Sequence, residues 1–232
     1  MRIPWGKVLS WVLGVAVLAV VVGVPVAHHR SAYVQHKRLR VVTDGRVYRC
    51  GQMTADGFCD AIKRYGIKTV INLQDDEADT DADERDPTLP RTPFDKTRSL
   101  ESEVVAAAGA RYVQFDGNAL NADGTNGRPK LQDDFLRVMD DETNYPVLYH
   151  CKAGLHRTGW ITAVYRMEYE KRSPAEVLGE LRANGFGDFK ATDANVYIKR
   201  YIFDYRPGER AAGYEWPKSP ARGAPVCGGG AK

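Results

Sequence analysis

The sequence predicts an α/β fold: an open, mostly parallel sheet flanked by helices and preceded by one transmembrane helix. Three observations predict it. Strand-like and helix-like segments alternate between residues 46 and 206, and that order builds parallel sheets with helical crossovers. One of these segments, "PVLYH" at 146–150, is short and apolar, as a buried strand is. Ahead of them all, residues 8–27 read VLSWVLGVAVLAVVVGVPVA, with no charge.

That first run is long enough to be an anchor. Twenty residues at a helical rise of 1.5 Å span about 30 Å, one hydrocarbon core. Trp5 and Trp11 lie near its start, where indole rings favour the headgroup zone. A cleaved signal peptide is the alternative. The run exceeds the usual apolar region of about 7–15 residues, and Pro25-Val26-Ala27 is a poor cleavage site. A short tail (1–7) precedes the anchor. Residues 28–40, HHRSAYVQHKRLR, form a basic juxtamembrane linker, a solvated tether that can also touch anionic headgroups.

The globular domain is expected over 41–206. "RVYRC" (46–50) and "IKTVINL" (67–73) read as strands. Between them "TADGFCDAIKRYG" reads as a helix capped by Thr54 and closed by Gly66. A helix over 99–110, a strand "RYVQF" (111–115), a helix over 129–141 and the strand "PVLYH" come next. Three helical runs follow, the second capped by Ser173. From Pro207 the chain is rich in Pro, Gly and Ala and reads as a disordered tail, 207–232.

Composition excludes several functions. A net charge of +3 over 232 residues makes no basic face for nucleic acid. Cys50, Cys59, Cys151 and Cys227 are too few and scattered for a disulfide framework. They make no zinc site, because there is no CxxC pair and His150, Cys151 and His156 cannot supply four ligands. Asp79, Asp81 and Asp83 in the acidic stretch 75–86 imitate a calcium loop. Glu84 stands where that loop needs Gly, and Pro90 where it needs Glu. No metal and no cofactor is expected. Cys50 and Cys59 read as packing residues, not as redox partners of Cys151.

The chemistry concentrates in "YHCKAGLHRTGW", 149–160. In open α/β sheets ligands bind beyond the carboxyl ends of the strands. "PVLYH" ends at His150 and a helix is expected near Thr158, so Cys151–Arg157 forms a turn at a helix N-terminus. Such a turn directs backbone N–H groups inward and makes an anion pocket. Lys152, Ala153, Gly154, Leu155 and His156 would line it, with Gly154 and Gly159 allowing close approach. The field that favours phosphate also favours a Cys151 thiolate. Arg157 offers a fork for two phosphate oxygens. A thiolate, a phosphate cradle and a bidentate arginine are suited to attack at phosphorus. The blander reading of Cys151, inert packing, is opposed by its company of Arg157 and glycines. His156 and Lys152 are each as readily explained as polar loop residues.

His150, Cys151, Gly154, Arg157, Thr158 and Gly159 match HC-x5-R-[ST]-G. This resembles the signature of the cysteine-dependent protein tyrosine phosphatase superfamily. "VYRCGQM…GFCDAIKRYGIKTVINLQ" and "YRMEYEKRSPAEVLGELRANGF" are similar to the flanking segments of compact bacterial-type dual-specificity phosphatases. The resemblance implies a protein tyrosine phosphatase-like fold for the domain. It implies that Cys151 is the nucleophile of a phosphocysteine intermediate, and that Arg157 binds the phosphoryl oxygens. It also implies that His150 holds the loop and that the Thr158 hydroxyl assists thiolate departure. A general-acid aspartate upstream is implied too. Asp116, at the end of "RYVQF", is the first candidate by placement, and Asp123 in "NADGTNGR" the second. A plain turn aspartate before Gly117 is the structural reading of Asp116.

The expected function is therefore a membrane-anchored phosphatase acting on phosphorylated protein side chains. A phosphoinositide or other phospholipid phosphatase is the alternative. "HCKAG" resembles the lipid-phosphatase branch and the anchor favours it, whereas Leu155 and the acidic 75–86 stretch oppose it. A phosphoprotein-binding pseudophosphatase is the reading from another class, opposed by the intact Cys151 and Arg157. A rhodanese-like sulfur carrier would not need the residues around them. Arg2 and Lys7 precede the anchor, and Arg30, Lys37, Arg38 and Arg40 follow it. That count leans to a cytoplasmic catalytic domain.

Overall fold

The computed structural model describes residues 5–74, 100–115, 129–187 and 194–210. The N-terminal helix runs through α1 (Trp5–Leu18), a π-helical turn Ala19–Gly23, α2 (Val24–His29) and a second π-helical stretch Arg30–Gln35. Within it Val8–Ala32 is 25 residues long, with a mean hydropathy of 2.5 in its most apolar stretch and no part buried against the protein. It is long and apolar enough to cross a membrane.

The domain follows as β1 (Arg40–Thr43), β2 (Val47–Gly51), α3 (Ala55–Tyr65), β3 (Thr69–Asn72), α4 (Glu101–Ala107) and β4 (Arg111–Gln114). Then come α5 (Lys130–Asp140), β5 (Val147–Cys151), α6 (His156–Tyr169), α7 (Pro174–Ala183) and α8 (Ala194–Asp204). Among the described residues the sheet has five strands in the order β1-β2-β5-β3-β4. β1 pairs antiparallel with β2 and every other pair is parallel. The expected open, mostly parallel sheet is present. β1 was not expected as a strand; Arg40–Thr43 is a short edge strand with a single buried residue, too weak a pattern to stand out beside the basic linker.

Local chemistry sets the ends of the elements. The Thr54 hydroxyl accepts the Gly57 N–H at the start of α3, and Gly66 ends it at φ 62°. Ser173 and Glu176 cap α7 reciprocally. Burial divides the sheet's two faces. Val47, Val147, Tyr149 and Cys151 join a core with Phe135, Trp160 and Ile198 of α5, α6 and α8. Tyr48, Cys50, Val70 and Leu148 join Phe58, Ile62 and Val104 of α3 and α4. The alternation along β5 thus places successive side chains in opposite cores. All five of its residues are buried, as a central parallel strand requires.

Cys59 packs against this second core, as the sequence reading has it, and is also disulfide-bonded. Cys50 and Cys151 are free thiols. Burial, then the charges of Glu101 and Cys151, push the Cys50 thiol well above its ordinary range, so it remains a protonated packing group.

The end of the N-terminal helix packs on α3. The Gln35 carbonyl accepts the Thr54 N–H at 3.3 Å, and a Cβ placed on Gly57 would collide with that same carbonyl. Gly57→Ala is therefore expected to destabilise the domain by about 1–3 kcal/mol, the usual cost of overpacking. Denaturant unfolding of wild type and variant checks this. An unchanged midpoint would show that the contact is dispensable.

Candidate active site

β5 lies between β2 and β3 and ends at Cys151, and α6 begins at His156, slightly earlier than the sequence implied. The intervening loop thus sits at the carboxyl edge of the sheet and at a helix N-terminus, where ligands and anions bind. Cys151 is 6% exposed.

Three successive carbonyls of this loop are held from outside. Lys152 O accepts the Gln52 N–H at 3.2 Å. Ala153 O accepts Arg38 Nη1 at 2.7 Å, and Gly154 O accepts Arg49 Nη2 at 2.8 Å. In a trans peptide the C=O and the following N–H point in opposite directions. Tying those carbonyls outward therefore turns the N–H groups of Ala153, Gly154 and Leu155 inward. None of the three donates to any acceptor among the described residues. With the unpaired first-turn amides of α6 they form a nest for an anion.

Gly154 makes this turn possible. Its φ is +69°, and a Cβ there would lie 2.6 Å from Gly51 N and 2.8 Å from both Cys50 C and O. Only a residue without a side chain fits between the two strand ends. Arg157 is half-buried, and its Nη1 donates to Leu73 O at 3.0 Å, which ties its guanidinium to the end of β3. Thr158 is fully buried, and its hydroxyl has no partner among the described residues. Its carbonyl accepts Thr162 Oγ1 at 2.7 Å. Lys152 is exposed and Ala153 half-buried. Leu155 is 6% exposed. The His156 ring meets Phe186 edge to face at 6.0 Å, and burial holds its imidazole below its ordinary range.

His150 faces the other side of β5. Its Nε2 lies 2.6 Å from Glu101 Oε1, both side chains being buried, and its ring meets Phe58 edge to face at 5.2 Å. Gln52 Nε2 donates to the second Glu101 oxygen at 2.7 Å. Since Gln52 also binds the Lys152 carbonyl, His150, Glu101, Gln52 and the loop are joined in one chain of contacts. His150 Nδ1 has no partner among the described residues, which suits a tautomer with its hydrogen on Nε2.

Sequence reasoning missed Glu101, Gln52, Arg49 and Arg38. Arg49 left a signal: a charged residue inside the apolar strand "VYRCG" is buried only with partners. Glu101 left none, as it reads like any acidic residue in a helix's first turn. Asp116, Asp123 and the acidic stretch 75–86 lie outside the described residues.

The sheet, the central strand ending in a cysteine and the loop opening into a helix define a cysteine-phosphatase class of fold. Residues 31–168 match the tyrosine phosphatase family, more than half of the chain, and the chain belongs to that family. It is similar to the inositol diphosphatase DSP2 of Arabidopsis thaliana, 32% identical over 89 residues, which cover 34% of this chain and 32% of that protein. It is also similar to the dual specificity protein phosphatase TpbA of Pseudomonas aeruginosa, 38% identical over 87 residues, covering 37% of this chain and 38% of that protein. The matches thus span about a third of each relative's length. Among solved structures, the catalytic core of Siw14 superposes with a TM-score of 0.51 at 18% identity, covering 75% of this chain and 87% of that one. At that identity the likeness is one of fold.

Glu101 gives a test of the buried chain of contacts. Glu101→Ala leaves the His150 and Gln52 donors without acceptors and is expected to cost about 3–5 kcal/mol. Glu101→Gln keeps an accepting oxygen and should cost about 1–3 kcal/mol. Denaturant midpoints of the two variants compare them. A loss confined to Glu101→Ala, with Glu101→Gln as stable as wild type, would show that volume, not hydrogen bonding, is what Glu101 supplies.

Proposed function

We propose that this protein is a membrane-anchored phosphatase that cleaves phosphate monoesters through a phosphocysteine on Cys151. The observation that carries this reading is the loop whose three carbonyls are tied outward, so that its amides converge beside Cys151. Phosphate occupies that nest with Arg157 gripping two of its oxygens. The Cys151 sulfur attacks phosphorus and the bond to the leaving oxygen breaks. Asp116, or failing it Asp123, gives that oxygen a proton. Water then attacks the phosphocysteine, losing its proton to the same carboxylate, and phosphate and the thiolate separate. Splitting the displacement in two is the gain of covalent catalysis. The Thr158 hydroxyl, without a partner among the described residues, supports its role beside the departing thiolate. The buried contact to Glu101 supports His150 as a holder of the loop. Lys152, Ala153, Gly154, Leu155 and His156 shape the cradle. No cofactor enters the scheme.

Two substrate classes have support. Phosphorylated tyrosine, serine or threonine side chains of proteins are supported by the likeness to TpbA. Phosphorylated inositol headgroups, free or in a lipid, are supported by the likeness to DSP2 and by the exposed Lys152 beside the nucleophile. The anchor places either reaction at a membrane surface.

Membrane fractions of cells expressing wild type or Cys151→Ser test the reading in one experiment. Both proteins should sediment with membranes, and only the wild type should turn over an aryl phosphate. Turnover by the serine variant would sink the mechanism, and a soluble protein starting near His28 would mark a cleaved signal.

The proton donor is tested by leaving group. An activated nitrophenolate leaves without help, whereas tyrosine does not. Asp116→Asn should cost roughly 10²–10⁴-fold on a phosphotyrosine peptide and visibly less on the nitrophenyl ester. It should also flatten the basic limb of the pH profile. Asp123→Asn should do little. Exchanged behaviours would move the acid to residue 123.

A further inference from the structure

The basic segment between the anchor and β1 is part of the wall of the active site. Its backbone is tied to the domain: Gln35 O accepts the Thr54 N–H, and Lys37 O accepts the Gly51 N–H at 2.7 Å. Arg38 reaches the catalytic loop itself through Ala153 O, and His36 Nε2 meets Asp60 at 2.9 Å. The family match, which begins at residue 31, includes this segment.

Lys37 and Arg38 both have positive φ, 22° and 61°, in a region that residues with side chains seldom adopt. Strain of this kind persists only where the surroundings impose it, and it collects at functional sites. The result is to lay the Lys37 side chain against the catalytic loop. Its Cγ, the carbonyl carbon of Ala153 and the carbonyl oxygen of Lys152 all lie 3.0–3.1 Å from the point where a Gly51 Cβ would stand. Lys37, Arg38 and Lys152 are thus gathered on one side of the loop that follows Cys151, and none forms an ion pair among the described residues. Lys37 is half-buried, and its burial, then the charges of Lys152 and Arg38, hold its ammonium below the ordinary range. Bringing three like charges together, with no carboxylate among the described residues paired to them, is unfavourable by itself, and an anion relieves it. The phosphate attacked by Cys151 is already served by Arg157 and the loop amides.

We infer that Lys37 and Lys152, with Arg38 behind them, form a second anion subsite beside the catalytic cradle. It takes the second phosphate of a substrate that carries two phosphate groups on one small polyol headgroup. This rests on the reading of Cys151 as the nucleophile and selects between the two substrate classes. A headgroup is favoured over a doubly phosphorylated peptide because the subsite is built at the foot of the Val8–Ala32 helix. There a lipid headgroup, or its free counterpart drawn from solution, meets the cations first.

The test uses the full-length protein in neutral vesicles. Its readout is the ratio of kcat/KM for a two-phosphate substrate to that for a one-phosphate aryl ester. The two-phosphate substrates are a soluble inositol bisphosphate, the same headgroup on a lipid in the vesicles, and a doubly phosphorylated peptide. In Lys37→Gln the headgroup ratio should fall about tenfold or more, as loss of a charged hydrogen bond does, and mainly through KM. Lys37→Arg should restore most of it, which a merely structural role for the lysine stem would not predict for both headgroup and ester. Faster turnover of the lipid than of the soluble headgroup assigns the source to the membrane, and the reverse assigns it to solution. Both support the subsite if each depends on Lys37. An unchanged ratio in Lys37→Gln overturns it. A ratio that falls for the peptide alone overturns the choice of headgroup. A wild-type protein inactive on every phosphate ester would instead overturn the phosphatase reading, which keeps the two failures apart.

Discussion

The backbone of Gly154 lies against the backbone of Cys50 and Gly51 with no space for a side chain between them. The rest of the site depends on that contact. It exists because β2 and β5 are adjacent parallel strands in register from Val47↔Val147 to Gly51↔Cys151, so both chains leave the sheet at the same level. Once the loop after Cys151 is pressed onto the end of β2, the neighbours of β2 become its donors. Arg49 holds one carbonyl from within the strand. Gln52 holds another from just beyond its end. Each carbonyl tied outward turns one amide inward. An anion nest is therefore a consequence of how two strands end together, and the pocket needs little side-chain chemistry beyond the sulfur and Arg157.

The charged groups that hold the loop are themselves buried, which makes the arrangement stiff. Arg49 is 3% exposed and has no carboxylate in contact among the described residues; its guanidinium donates to the Gly154 carbonyl and the Thr162 hydroxyl. Thr162 also receives the Tyr149 hydroxyl at 2.9 Å. On the opposite face of β5, Glu101 joins His150 to Gln52. Buried polar groups are costly unless every member is satisfied. Loosening one contact therefore frees several groups at once, and the loop is expected to be held in one conformation.

The loop was legible in the sequence because its residue types are fixed at fixed spacing over a short stretch. Cys151, Gly154 and Arg157 could be placed from "HCKAGLHRTG" alone. The helices with clear caps, α3 at Thr54 and α7 at Ser173, were legible for the same reason: the signal is local. What escaped notice is what depends on distance along the chain. Glu101 and His150 are 49 residues apart, and Arg38 and Ala153 are 115 apart. No periodicity or motif announces such pairs. Residues 28–40 read as a tether because charge dominates their composition, yet the Gln35 and Lys37 carbonyls and the Arg38 side chain hydrogen-bond to the domain, which composition does not reveal.

The account's central claim is that the outward-tied loop exists to hold phosphate where the Cys151 sulfur can take it. Mixing the full-length enzyme with a rapidly cleaved aryl phosphate, quenching with alkaline detergent within the first turnover and mapping the modified peptide at alkaline pH by mass spectrometry tests this most directly. The account predicts one phosphoryl group on the peptide containing Cys151 and none on that containing Cys50. Nitrophenol released in a burst with no phosphate on Cys151, or phosphate carried by Cys50 instead, would contradict it.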